Sequence, residues 1–135
     1  MKARFGSVAM VAAALIVCAW YAVGARQAQD TARASALVAH AARLHPAQAR
    51  RAWALLDAAA FLNPDRQVDI LRAELDAGRG RPAAARRILD RVLAAEPQNV
   101  LAWVALARSS AGSPATFLRA LRNFFALVPP FPAAR

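Results

Sequence analysis

Apolar side chains recur at helical spacing over most of the chain. From Ala84 to Ala95 the clearest stripe is Ala85, Ile88, Leu89, Val92 and Leu93, the i, i+3, i+4, i+7, i+8 pattern of a helix with one face in a core. Arg86, Arg87, Asp90 and Arg91 fall off that stripe. No stretch alternates apolar and polar residues with β-branched enrichment, so no sheet is predicted. Ala, Leu and Arg dominate, all good helix formers. Helix breakers are concentrated in "HP" at 45–46, "NPD" at 63–65, "GRGRP" at 78–82, "EPQN" at 96–99, "GSP" at 112–114 and "PPFP" at 129–132. They predict six helices, over roughly 26–44, 47–62, 66–77, 82–95, 99–111 and 115–128. The fold class is therefore all-α.

A different pattern precedes these helices. Phe5 to Gly24 is 20 residues without a charge. At ~1.5 Å rise per residue such a run reaches ~30 Å, the thickness of a bilayer core. Lys2 and Arg4 precede it, Trp20 and Tyr21 lie near its end, where aromatic rings favour the headgroup level, and Arg26 follows. The run reads as an uncleaved transmembrane signal anchor over 5–24. The competing reading is a signal peptide cleaved near "VGA", but its apolar region exceeds the usual ~7–15 residues. The boundaries that follow are a short cytoplasmic tail at 1–4, the anchor at 5–24, a juxtamembrane helical linker at 25–32, a helical domain at 33–128 and a Pro-rich tail at 129–135. The positive-inside rule leans toward an inward N-terminus and an outward domain, because Asp30 partly offsets Arg26 and Arg33.

The helical part repeats. Ala52, Leu56, Ala59 and Pro64 follow the spacing A-x3-L-x2-A-x4-P; Ala85, Leu89, Val92 and Pro97 follow it again, and Ala120, Phe124, Leu127 and Pro132 a third time. The prolines recur after 33 and then 35 residues. Trp103, Leu106 and Ala107 add W-x2-L-A ahead of the third set. This resembles the tetratricopeptide repeat, a helix–turn–helix unit of ~34 residues with the pattern W-x2-L-G-x2-Y…A-x3-F…P. The resemblance covers about residues 33–132 and implies three stacked units forming a short solenoid. Ala36, Ala39 and His40 in the first unit, and Asp69, Arg72 and Ala73 in the second, depart from the family's Trp, Leu and Gly. Pro46, Pro82 and Pro114 open the second helix of each unit, where a missing N–H costs little. No separate polar capping helix follows the third unit. Its Phe124, Phe125, Leu127, Val128 and Phe131 are thus left as an apolar patch, open to a partner or the membrane unless Phe131 folds back over it.

Charge and chemistry narrow the function classes. The formal charge is +10, from 18 basic and 8 acidic residues, and every basic residue but Lys2 is arginine. Anionic lipid headgroups are one expected contact; a GC-rich coding sequence gives the same Arg and Ala excess without one. Nucleic acid is disfavoured, since the arginines are mixed with acids in the middle unit and few aromatics interleave with them. The single Cys18 allows no disulfide within the chain, and Val17 in "LIVC" stands where a lipobox wants a small residue. His40 and His45 are five apart, not the three or four that place two ligands on one helix face. No phosphate loop, nucleophile elbow or paired carboxylate appears, so no catalytic, cofactor-binding or metal residue is assigned and no small-molecule substrate is predicted.

The reading that results is a membrane-anchored adaptor or scaffold of bacterial type, in the inner membrane, holding a protein partner of the membrane or envelope. The alternatives are an accessory subunit of envelope polysaccharide or cytochrome assembly, a secreted soluble helical protein after signal cleavage, and a remote enzyme or lipid-binding helical domain. The family resemblance implies a concave binding face lined by the first helix of each unit. Carried over by the repeat spacing, that face comprises Leu37 and Ala41, Ile70 and Glu74, and Val104 and Arg108.

Overall fold

The computed structural model describes residues 2–60, 66–110 and 112–128; the side chains of residues 2–9 and 11 fall outside that description. The helices are α1 (Lys2–Val38), α2 (Pro46–Ala60), α3 (Gln67–Gly78), α4 (Pro82–Ala95), α5 (Val100–Arg108) and α6 (Pro114–Leu127), with a 3₁₀ turn at Ala41–Arg43 between the first two. There is no strand among the described residues.

The ends of these helices follow from local chemistry. Pro46, Pro82 and Pro114 each occupy the first position of a helix, as the spacing predicts. Ahead of α2, the Gln48 side chain reaches back to accept from the His45 N–H at 3.0 Å. Asn99 caps α5: its Oδ1 accepts from the Ala102 N–H at 3.0 Å and its Nδ2 donates to Glu96 at 2.8 Å. At the end of α3 the chain turns through Gly80 at φ 74°, a conformation that costs glycine little. There the Arg81 N–H bonds to Asp76 O at 2.9 Å and the Gly80 N–H to Ala77 O at 3.0 Å, a Schellman closure. Pro64, Pro132, the 129–135 tail and the fold-back of Phe131 lie outside the described residues.

Packing is sequential. α1 pairs with α2, α3 with α4 and α5 with α6; α3 then rests against both α1 and α2, and α5 against both α3 and α4. Two buried clusters result. One gathers Ala34, Val38, Leu56, Val68, Leu71 and Leu75; the other gathers Ile70, Ala73, Leu89, Val92, Trp103 and Leu106. α3 serves both, with Val68, Leu71 and Leu75 toward the first and Ile70 and Ala73 toward the second. Leu56, Leu75, Leu89 and Leu106 are fully buried, each contributing roughly 1.5–3 kcal/mol of apolar burial. The small residues of the repeat pattern, Ala52, Ala85 and Ala120, are all fully buried. Large side chains there would hold neighbouring backbones apart.

The first helix differs from the sequence expectation. In place of a helix beginning near residue 26, α1 is one continuous helix of 37 residues, and it ends at Val38, earlier than residue 44. Gly24 lies inside it with open space around it, so no neighbour forces a break there. Among the described residues no helix is long and apolar enough to cross a membrane. The transmembrane anchor expected over 5–24 therefore gains no support from the described helices.

Candidate binding face

The six residues expected on the concave face do not share one environment. Ala41 and Ile70 are buried, Leu37, Glu74 and Val104 are half-buried, and Arg108 is exposed. Ile70 is 3% exposed because it packs in the cluster that α5 completes. Ala41 is held in the 3₁₀ turn against the end of α3. Spacing makes Ile70 and Val104 equivalent, but a further helix covers only the first. Glu74 and Arg108 are brought together: the guanidinium donates to Glu74 Oε1 at 3.3 Å and ties α5 to α3. Arg108 keeps 73% of its side chain exposed, so most of its hydrogen-bonding capacity faces solvent.

Beside Arg108 lies a feature the repeat spacing did not reveal. Trp103, Val104, Ala107 and Arg108 of α5 face Phe117, Leu121 and Phe124 of α6 across a cavity of about 210 Å³. Its wall is apolar except for the arginine. Trp103 is locked in place, its Nε1–H donating to Pro97 O at 2.8 Å. Phe124 stacks edge-on against Phe125 with centroids 5.3 Å apart. The fixed aromatic wall gives the groove a definite shape.

A separate surface, between α4 and α6, is basic. Arg86, Arg87 and Arg119 line an open cleft of about 710 Å³ with Ala83, Ala115 and Thr116. Its one carboxylate, Asp90, accepts from Arg119 at 2.6 Å. Elsewhere, Asp76 at the end of α3 is 8% exposed and ion-paired with Arg81, and Arg72 bonds to Asp57 at 2.6 Å, linking α3 to α2. His40 lies just past the end of α1, its Nδ1 3.2 Å from Ala36 O. Among the described residues no group of three or more His, Cys, Asp or Glu side chains could hold a metal ion.

Residues 66–109 match the family model of the tetratricopeptide repeat. No curated protein and no solved structure matches the chain. The matched span covers α3, α4 and α5, one helix pair together with the helix that packs behind it. This match and the paired, sequentially stacked helices support a tetratricopeptide-repeat protein.

Proposed function

We propose that the chain is an adaptor whose helical repeats hold a protein partner at a membrane. The observation that carries the adaptor reading is the repeat match over α3, α4 and α5, since stacked repeats of this kind build interaction surfaces. The contact surface comprises half-buried Leu37 and Val104 with the Glu74–Arg108 pair, apolar side chains beside two charges of opposite sign. Such a surface suits an extended peptide or a partner helix, and arginine is a frequent anchor at interfaces.

The membrane part rests on a second observation. Met10, Leu15, Ile16, Val17, Trp20 and Tyr21 of α1 are all more than half exposed. A run of large apolar side chains in water is costly, and a lipid phase relieves that cost. Together with the uncharged stretch from Phe5 to Gly24, this favours α1 as the attachment to an envelope membrane. The test of the adaptor reading is partner capture from gently solubilised membranes by the tagged full chain. Arg108→Glu and Glu74→Arg should each remove the captured partner while helicity stays intact. An unchanged capture profile from both folded variants refutes this surface.

A further inference from the structure

We propose that the groove between α5 and α6 receives one acidic amphipathic helix from a partner protein, seated as α3 sits on α1 and α2 and as α5 sits on α3 and α4. The argument starts from the repeat itself. Val104 and Phe124 line the groove, and their equivalents one unit earlier are Ile70 and Leu89. Ile70 is 3% exposed and Leu89 is 0% exposed, both in the cluster that α5 completes. Leu127 and Val128 correspond to Val92 and Leu93. Val92 and Leu93 are buried, whereas Leu127 is 36% and Val128 39% exposed. Positions that a following helix covers in the second unit are therefore open in the third. Phe117, Leu118 and Phe125 widen the open face, and all are exposed.

The chain also shows what a groove-filling helix looks like. α3 fills the groove of α1 and α2 with Val68, Leu71 and Leu75, an i, i+3, i+7 stripe. The charge around the open groove, and not the charge of α3 or α5, selects an acidic occupant. After Glu96 the chain has no Asp or Glu, while Arg108 stands at the groove and Arg122 is exposed on α6. Two copies meeting through α6 would bring their exposed Arg122 side chains together, with Glu74 offsetting only Arg108, which disfavours a second copy. A lipid surface offers anions but is flat. The cavity between Trp103 and Phe117 calls for a protruding side chain, and a helix presents one every third or fourth residue. An occupant with leucine-sized residues at i, i+3 and i+7 and flanking carboxylates meets both demands.

This inference rests on the adaptor reading and shares Val104 and Arg108 with its surface, but Phe117 belongs to the groove and Leu37 to the concave face, so the two can fail separately. The probe is a stapled, fluorescein-labelled helix with the α3 sequence QVDILRAELDAG, titrated by anisotropy against the full chain in phosphatidylcholine nanodiscs. Saturable binding is expected, weakened roughly tenfold or more by Phe117→Asp, with Arg87→Ala, on the exposed side of α4 and off the groove wall, as the comparison. Arg122→Glu, at an exposed position, should weaken binding severalfold and keeps the test intact if Phe117→Asp unfolds. A peptide with its Asp and Glu replaced by Lys should bind poorly to the native chain and regain affinity for the Arg108→Glu/Arg122→Glu variant. The proposal is overturned by no binding, by binding that ignores both Phe117→Asp and Arg122→Glu, or by failure of the charge swap. It is equally overturned if Phe117→Asp instead abolishes self-association, or abolishes binding to added phosphatidylglycerol vesicles, because the occupant is then a second copy or lipid. Loss of partner capture in Leu37→Asp with peptide binding intact would separate the concave face from the groove.

Discussion

Gly78 sits where the second repeat meets the first, and its substitution gives a test with a worked sign. A Cβ built there would lie 2.5 Å from the Ala41 Cβ and 3.3 Å from the Ala42 backbone nitrogen. Methyl carbons do not approach within 2.5 Å, so Gly78→Ala must push the end of α3 away from the 3₁₀ turn. Overpacking of this kind costs about 1–3 kcal/mol. The substitution also brings a gain, because alanine is favoured over glycine in a helix by about 0.5–1 kcal/mol, less at a terminal residue. The clash should dominate, and the full chain should lose stability. Removing the opposing methyl with Ala41→Gly relieves the closest contact, so in that background Gly78→Ala should be neutral or slightly stabilising. The coupling energy between the two positions should exceed about 1 kcal/mol. Thermal unfolding followed by far-UV circular dichroism measures it, since a domain of this size shifts by about 4–8 °C per kcal/mol. Equal effects of Gly78→Ala in both backgrounds would show that α3 does not dock on that turn.

Other expected outcomes follow from burial and pairing. Ala85→Leu should destabilise by about 1–3 kcal/mol because Ala85 is fully buried, while Arg87→Ala on the exposed face should change stability by less than about 0.5 kcal/mol; equal melting temperatures would contradict the helix register. Arg81→Ala leaves the 8%-exposed Asp76 without its cation and should cost about 1–3 kcal/mol, more than Asp76→Asn, which leaves behind a half-exposed arginine that water can solvate. Reversal of that order in denaturant titrations would place the burial on the wrong partner. If α1 is held in lipid, the full chain should stay with the membrane pellet through carbonate and high-salt washing at its uncleaved mass. Recovery in the supernatant of a chain starting near Arg26 would assign the run to a cleaved leader.

Much of the helical layout was legible because proline and glycine act locally. Pro46, Pro82 and Pro114 each open a helix as read, and the "EPQN" break resolves into the Asn99 cap and the Trp103–Pro97 bond. Burial of Ala52, Ala85 and Ala120 was also legible, since the repeat aligned three small residues where backbones approach. The continuity of α1 was not. Gly24 lowers helix propensity but faces open space, and its context overrides it. The candidate face was legible only in part, because repeat spacing treats every unit alike. Ile70 and Val104 hold equivalent positions, yet Ile70 is covered by α5 while Val104 borders an open groove. The pairing of Glu74 with Arg108 joins residues 34 apart and needed the packed helices to appear.

The adaptor reading is tested most directly by photo-crosslinking from single positions in native membranes. With p-benzoylphenylalanine at Val104, beside Arg108, a discrete adduct of the chain with one partner protein is expected. The same residue at Arg87, on the exposed face of α4, should give none. A discrete adduct from Arg87 and none from Val104, or identical adducts from both, would contradict the assignment of partner binding to the face that α3 and α5 form.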